Sequence, residues 1–172
     1  THSEGTWSPD IGFALRWDAA NDSGSASSGI EEYTVNGIST GTNLLWQENL
    51  SEGDGQNFDI RARDAAGNWC DNTSTFGHVR VDLTDPAISS LSSTSHAENV
   101  WSNSPDANFS WVADDLLGDG VTPGAGIVGF EVSLLGQSIP LSGSSSSFDV
   151  HSSIWASAPA GALGNLGLVA QD

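Results

Sequence analysis

The sequence predicts an all-β fold made of two tandem β-sandwiches, and three observations lead to this prediction. Apolar and polar residues alternate with the period of a half-buried strand in several stretches, most clearly over 57–84. Clusters of Gly, Ser, Asn and Asp separate these stretches at short intervals, as turns do between strands. Helical periodicity is nowhere sustained, and the spacing pattern of the first half recurs in the second.

The first half predicts a series of short strands. Trp7 opens one strand, and apolar residues alternate over 11–17 to predict strand B. Residues 30–35 follow a Ser/Gly/Asp-rich loop and predict strand C. We expect a middle strand over 42–46 and a turn over 51–56, where Gly, Asp and Ser dominate.

The stretch 57–84 predicts a hairpin of the last two strands, F and G. Apolar side chains occupy alternate positions in each strand, namely Phe58, Ile60 and Ala62 in F, and Val79, Val81 and Leu83 in G. Residues 64–68 supply turn chemistry between the two strands. Pro86 has no N–H to donate, so it is a natural end to the pairing.

A search for internal periodicity finds matching residues in the two halves. The matches with equal internal spacing are His2, Trp7 and Trp17 with His96, Trp101 and Trp111; Asp22, Ile30, Tyr33 and Val35 with Asp119, Ile127, Phe130 and Val132; and Phe58, Ile60, Ala62 and Asp64 with Leu166, Leu168, Ala170 and Asp172. The offset grows along the chain, which places insertions in loops. We therefore predict one module over 1–85 and a second over 86–172.

The second module repeats the strand plan of the first. The predicted packing residues are Ile88 and Leu91 in strand A; Ala107, Phe109, Trp111 and Ala113 in B; Ile127, Phe130, Val132 and Leu134 in C; Ile139, Leu141, Phe148 and Val150 on middle strands; and Leu166, Leu168 and Ala170 in F. The second copy reaches Asp172 at the point where the first continues into strand G. It therefore lacks a last strand of its own, and an open sheet edge invites pairing.

Two interpretations of that open edge remain. The sequence is either a window cut from a longer array of repeats, or a neighbouring chain donates the strand by β-augmentation.

The strings RARDAAGN (61–68) and HVRVDLTDP (78–86), with the segment 17–35 before them, resemble a known family. They are similar to bacterial and archaeal immunoglobulin-like or fibronectin type III-like repeats. The resemblance implies tandem immunoglobulin-like β-sandwiches from a large secreted or cell-surface protein. It also implies a role as a spacer, an adhesive unit or an accessory domain, with neighbouring repeats or identical subunits as partners.

The amino-acid composition limits the classes of molecule that we expect this chain to bind. The formal net charge is −18, and the only basic side chains apart from His are four arginines. Such a chain repels nucleic acid and anionic membrane surfaces, so we expect neither as a partner. No apolar run reaches the length of a membrane helix, so we expect no membrane insertion. Cys70 is the only cysteine, which excludes a disulfide within the chain.

Four Asn-x-Ser/Thr sequons fit a secreted protein and are glycosylation candidates: Asn21, Asn49, Asn72 and Asn108. Three tryptophans have no counterpart in the other module and are candidates for stacking on sugar rings: Trp46, Trp69 and Trp155. Trp17 and Trp111 share one position in the repeat, so we expect them to pack between the sheets. His2 and His96 have no metal-ligand spacing, and a structural hydrogen bond is expected.

Acidic loops suggest calcium as a cofactor. In an immunoglobulin-like sandwich the B–C and F–G loops share one pole, so carboxylates from both could converge to give oxygen ligands. The metal candidates in the first module are Asp18, Asp22 and Asp64, and those in the second are Asp114, Asp115 and Asp119. Asp82 and Asp85 are further metal candidates, because they could meet the second set at the junction between the two modules.

The sequence indicates no catalytic site. No Gly-x-Ser-x-Gly elbow is present, and paired carboxylates occur only in loops without basic groups to hold a substrate. We therefore expect no enzyme. Three functions stay open: a structural or adhesive repeat, a carbohydrate-binding accessory module of a secreted hydrolase, and a filament subunit joined by donor-strand exchange.

Overall fold

The computed structural model describes residues 2–23, 27–98, 100, 102–134, 136–150 and 166–172. Its regular structure, over these residues, consists of strands in several sheets, with no helix. The prediction of an all-β, sandwich-type fold is therefore confirmed. The chain divides into two compact units, Thr1–Leu83 (unit 1) and Thr84–Asp172 (unit 2), and each is described by itself.

Unit 1 contains seven of the described strands. In chain order they are β1 (Trp7–Ser8), β2 (Gly12–Arg16), β3 (Ile30–Val35), β4 (Ile38–Gly41), β5 (Leu45–Asn49), β6 (Gly53–Asp64) and β7 (Ser74–Val81). One sheet has the order β1-β7-β6-β3-β4, and the other pairs β2 with β5. All neighbours are antiparallel except β1, which joins β7 in parallel.

The core of unit 1 lies between these two sheets. β2 alternates exposed and buried residues, which sends Phe13 and Leu15 inward from the small sheet. Val35, Val79 and Val81 meet them from the large sheet and are fully buried. Because side chains from both sheets share one cluster, the strand periodicity of the sequence accounts for the layered packing.

Unit 2 contains six of the described strands. They are β8 (Ala87–Ser93), β9 (Ala107–Asp114), β10 (Gly129–Leu134), β11 (Gln137–Ser142), β12 (Ser147–Val150) and β13 (Leu166–Gln171). One sheet has the order β12-β9-β8 and the other the order β11-β10-β13, and all pairs are antiparallel. Buried side chains include Ala107 and Trp111 of β9, Val132 and Leu134 of β10, and Val150 of β12.

The two units share strand order and register. In unit 1 Tyr33 of β3 lies opposite Ala62 of β6, and in unit 2 Phe130 of β10 lies opposite Ala170 of β13. Each of these aromatic rings also meets a tryptophan edge-on. The ring centroids are 5.9 Å apart for Trp17 and Tyr33, and 5.3 Å apart for Trp111 and Phe130.

The units differ in the pairing of the strand predicted as F, which is β6 in unit 1 and β13 in unit 2. In unit 1 β6 is paired on both sides, by β3 and by β7. In the part of unit 2 that the structure describes, β13 pairs with β10 alone and forms an edge of its sheet.

Several local predictions are wrong. Residues 51–56 do not form a turn throughout, because β6 begins at Gly53, which lies opposite Val81 of β7. Register shifts interrupt this part of the ladder, and the positive φ of Gly55 accommodates one of them. The middle strand predicted over 42–46 is misplaced, because β4 ends at Gly41 and β5 begins at Leu45.

Two apolar residues predicted to pack inward are exposed. Leu83 lies beyond the end of β7 and is 51% exposed, and Leu91 of β8 is 46% exposed. β8 is an edge strand with a register shift between Ile88 and Ser90, and this irregularity changes which side chains face inward.

Candidate functional site

The loop after β2 and the turn after β6 meet at one pole of unit 1. The Ala65 N–H donates a hydrogen bond of 2.9 Å to the Gly29 carbonyl, and the Ala66 N–H donates one of 3.2 Å to the Ser28 hydroxyl. The expected proximity of the B–C and F–G loops is thus present in unit 1.

The carboxylates at this pole accept hydrogen bonds from nearby protein groups. Asp22 Oδ2 accepts the Gly29 N–H at 2.8 Å, which closes the loop after β2. Asp64 Oδ1 accepts the Asn68 N–H at 2.8 Å, and its Oδ2 accepts the Asn68 side-chain amide at 3.0 Å. These donations from Asn68 lower the pKa of Asp64, because they stabilise the charged form.

Asp119 plays a similar part in the loop between β9 and β10. Its Oδ2 accepts the Thr122 hydroxyl at 2.6 Å, and its Oδ1 accepts the N–H groups of Thr122 and Val121, both at 2.8 Å. The bonds from Thr122 come first in lowering the pKa of Asp119. Asp115, in the same loop, accepts the Gly126 N–H through its carboxylate. Both aspartates therefore organise the loop itself.

The structure does not assemble the predicted calcium ligands within either unit. Over the described residues of each unit taken alone, no three carboxylate, imidazole or thiol ligand atoms lie within 4.8 Å of one another. Asp18 and Asp85 are exposed, and Asp114 is exposed at the end of β9. Asp82 is buried and its N–H donates to the Ser8 carbonyl at 3.1 Å. The idea of a junction site remains a prediction.

Trp69 forms an exposed aromatic surface on unit 1. Its side chain is 38% exposed, and the guanidinium carbons of Arg61 and Arg63 lie 5.1 and 5.5 Å from its ring centroid. Arg63 is held in turn by Glu32 at 2.6 Å and Glu31 at 3.2 Å. The two arginines therefore fix the ring by cation–π attraction and leave part of it open to solvent.

A shallow groove of about 300 Å³ lies beside Trp69. Its polar lining is Thr34, Asn36, Asp59, Arg61 and Thr73. The groove thus places part of an aromatic ring next to hydroxyl, amide and charged groups.

The other two stacking candidates do not add to this surface. Trp46 is half-buried and packs against the core of unit 1, so its expected exposure is wrong. Trp155 lies outside the described residues, as do Trp101 and His151. Trp17 packs against the same core as Trp46, and Trp111 is buried in unit 2, as expected of the shared position.

The histidines and the cysteine have local structural surroundings. The His2 ring packs edge-on against Phe13 at 5.7 Å, and among the described residues its two nitrogens have no hydrogen-bond partner, so the hydrogen bond expected there is not formed. His96 Nδ1 lies 3.0 Å from the Ser95 hydroxyl. The Cys70 thiol is half-buried; it accepts the Ala62 N–H at 3.3 Å and donates to the Asn72 carbonyl at 3.0 Å.

The four sequons differ in accessibility. Asn21, Asn49 and Asn72 are exposed. Asn108 lies within β9, is half-buried, and donates its side-chain amide to Asp149 of the neighbouring β12. The side chains of the first three are therefore accessible from solvent, and that of Asn108 is less so.

A second groove lies beside the last residues of β13 in unit 2. It has a volume of about 720 Å³, and its lining comes from β13, from β8 and from the residues before β8 and β10: Asp85, Pro86, Ile88, Val128 and 168–172. Val128 is 71% exposed and Val169 of β13 is 59% exposed. In unit 1 β6 pairs with β7 as well as with β3.

No protein-family model matches the chain, and no curated protein sequence matches it either. A search of the described residues for a helix long and apolar enough to cross a membrane finds none.

Sequence reasoning missed both grooves. The pairing of Trp69 with two arginines depends on a bridge that brings Trp69 back opposite Arg63 after the turn, which alternation alone does not reveal. The groove of unit 2 takes its lining from both β13 and β8, so finding it needed the packing of one sheet against the other.

Proposed function

We propose that this chain is a non-catalytic structural module of a large secreted or cell-surface protein, in which two immunoglobulin-like sandwiches act as a spacer or assembly unit. The single observation that supports this most is the recurrence of strand order and register in the two units. A duplicated sandwich extends a molecule by repeating a stable unit, and its stability comes from packing between its own sheets.

The surface chemistry supports the same proposal. A net charge of −18 keeps repeated units soluble and separate through mutual repulsion. The carboxylates of Asp22, Asp64 and Asp119 serve to close loops and are not grouped around a reacting centre.

The experiment that tests this proposal replaces the two units in the cell that produces the protein. Antibodies against the chain should label intact cells or the culture medium. Deleting both units should impair the protein that carries them, and an unrelated pair of β-sandwiches of the same length should restore it. Restoration by the native sequence alone would contradict a spacer role, and labelling confined to the cytoplasm would contradict the proposed location.

A second function, carbohydrate binding, is favoured by one observation, the groove beside Trp69. The exposed part of the ring could stack on a sugar, and Asp59, Asn36 and Arg61 could accept or donate hydrogen bonds to its hydroxyls.

Its test is affinity electrophoresis of the whole chain through gels that contain soluble polysaccharides. Trp69→Ala should abolish any retardation, whereas Trp69→Phe should keep part of it because a ring remains. Equal retardation of the wild type and Trp69→Ala would remove carbohydrate binding at this groove.

A further inference from the structure

We propose that Asn72 carries an N-linked glycan and that the first sugar of this glycan stacks on Trp69 and fills the groove beside it. The groove then binds a sugar that is attached to the chain itself, not one that belongs to another molecule. This inference rests on the proposed export of the chain, because Asn-x-Ser/Thr sequences are glycosylated in secreted proteins. It goes beyond that proposal, since it assigns a modification site and an occupant of the groove.

The acceptor sequence lies next to the groove. It begins at Asn72, in the segment between β6 and β7, and Trp69 and Thr73 on either side of Asn72 both line the groove. Two hydrogen bonds fix this segment. The Cys70 N–H donates to the Ala62 carbonyl of β6 at 2.9 Å, and the Cys70 thiol donates to the Asn72 carbonyl at 3.0 Å. A sugar attached to Asn72 is therefore held close to the ring.

The Asn72 side chain is free to carry a sugar. It is exposed, and within the described part of the chain its amide group has no hydrogen-bond partner. The amide of Asn108 instead donates to Asp149, so a sugar on that residue would disturb an existing bond. Glycosylation of Asn72 breaks no contact of its side-chain amide with the described residues.

The modification is the transfer of an oligosaccharide from a polyprenyl-pyrophosphate carrier. The Asn72 amide nitrogen attacks C1 of the first sugar, so that a C1–N bond forms and the bond from C1 to the pyrophosphate oxygen breaks. The carrier leaves with the electron pair of that bond, and the nitrogen loses one proton. Nothing is oxidised or reduced, and the export apparatus of the cell supplies the carrier and the transferase.

Trp69 offers the sugar a ring that is already held in place. Arg61 and Arg63 lie over the ring, and 38% of the side chain is exposed. One face of a pyranose ring presents C–H groups, so stacking it on the indole removes apolar surface from water. Because the ring is held beforehand, little side-chain freedom is lost. The buried Thr34 and the exposed Asp59, which also line the groove, supply polar partners for the sugar's hydroxyl groups.

Asn49 provides a comparison within the same unit. It also begins an acceptor sequence, and it follows Trp46 by the same three residues that separate Asn72 from Trp69. Trp46 is half-buried and packs against the core, and side chains three residues apart on a strand point to opposite faces. A sugar on Asn49 therefore has no ring to stack on, whereas one on Asn72 does.

The test uses the whole chain secreted from a eukaryotic expression host, with its glycans trimmed by an endoglycosidase to single N-acetylglucosamine residues. Nuclear Overhauser contacts should join the sugar on Asn72 to the indole protons of Trp69. Unit 1 should melt about 2–5 °C higher than in the Asn72→Gln variant. In a Trp69→Ala background this difference should vanish, and in a Trp69→Phe background part of it should remain because a ring is kept.

Two controls separate the sugar from the substitutions. The unglycosylated chain and its Asn72→Gln variant, both made in bacteria, should melt at the same temperature. The effect of Asn49→Gln on the glycosylated chain should be the same with and without Trp69→Ala. If the sugar on Asn72 stabilises unit 1 equally in the presence and absence of the Trp69 ring, the stacking is wrong. If the secreted chain leaves Asn72 unmodified, the modification site is wrong.

Mass spectrometry of the protein from its producing cell shows whether the site is used. Cleavage after arginine releases residues 64–80, a peptide in which Asn72 begins the single acceptor sequence, and this peptide should carry a sugar. An unmodified peptide from protein that antibodies detect outside the cell would overturn the modification and leave the proposed export intact. Labelling confined to the cytoplasm would contradict the export itself, and the stacking measured on the recombinant chain does not depend on either result.

Discussion

Units 1 and 2 share the pairing of their central strands and differ at the edges of their sheets. In unit 1 β6 lies between two neighbours, and Val79 and Val81 of β7 are fully buried. In unit 2 β13 pairs with β10 alone among the described residues, and a groove lies beside residues 168–172. The comparison teaches that the packing between the sheets recurs in both units, whereas the strands at the sheet edges differ.

The same comparison separates interior packing from edge packing. The matched pairs Trp17–Tyr33 and Trp111–Phe130 lie in the middle of each unit and keep similar geometry. The strands at the sheet borders differ, since β6 has a neighbour on each side whereas β13 pairs with β10 alone among the described residues. Substitutions in the two regions should therefore have different effects.

The largest expected effect is that of Phe58→Ala in unit 1. Phe58 is 3% exposed and stacks on Phe13 with ring centroids 4.3 Å apart. We expect unit 1 to lose about 3–5 kcal/mol of its free energy of unfolding, because the change removes packing and leaves a cavity. Urea titration followed by amide resonances of unit 1 measures it. Val169→Ala on the outer face of β13 should cost less than about 0.5 kcal/mol, and equal effects would contradict the comparison.

Gly143→Ala should destabilise unit 2 by about 1–3 kcal/mol, as crowding in a packed site does. A Cβ at this position would overlap the carbonyl oxygen of Ile127, which is backbone and cannot swing aside. Urea titration followed by resonances of β10 measures the loss. Gly167→Ala is the matched control, because its Cβ would meet only the Ser133 side chain at 3.4 Å. Full stability of Gly143→Ala would refute the close approach.

Tyr33→Phe should cost unit 1 about 0.5–1.5 kcal/mol, the usual contribution of one hydrogen bond. The Tyr33 hydroxyl accepts the Ala20 N–H at 2.8 Å, and the substitution removes this acceptor while keeping the ring against Trp17. It also makes unit 1 resemble unit 2, where Phe130 has no hydroxyl. Thermal unfolding of the variant should leave unit 2 unchanged. A variant as stable as the wild type would show that the bond contributes nothing.

The smallest expected effect is on how the stability of each unit depends on pH. The folded-state pKa values of Asp64 and Asp119 lie below their ordinary value, so their contribution to stability is present above the unfolded-state pKa, near 4. It is lost as the pH falls through the folded-state values. Asp64→Asn should lower the urea midpoint of unit 1, and Asp119→Asn that of unit 2, at pH 7 and much less at pH 2.5. A difference that persists at the lower pH would contradict this cause.

Much of the fold could be predicted from alternation. Residues 30–35 form β3 as expected, and Phe13 and Leu15 face the core because their neighbours in β2 are exposed. These segments were predicted correctly because one face of each strand is buried and the other is solvated.

The remaining elements depend on contacts between distant residues. The start of β6 contains Gly53 and Gly55 and has the composition of a turn, yet pairing with β7 extends it as a strand. Trp46 had no counterpart in the other half, which suggested exposure, but its burial follows from its place on β5 facing the large sheet. At the candidate site, the sequence predicted that the B–C and F–G loops share one pole. It could not predict the hydrogen bonds between Asp64 and Asn68, because these depend on the conformation of the turn.

The parallel pairing of β1 with β7 has a consequence for a chain under tension. Trp7 and Ser8 lie opposite Arg80 and Val81, and the Gly5 N–H donates to the His78 carbonyl at 2.9 Å. A force that pulls the segment before β1 and the segment after β7 in opposite directions would slide these strands along each other. The hydrogen bonds between them would then bear the load together, as a shear clamp, and would not be unzipped one by one.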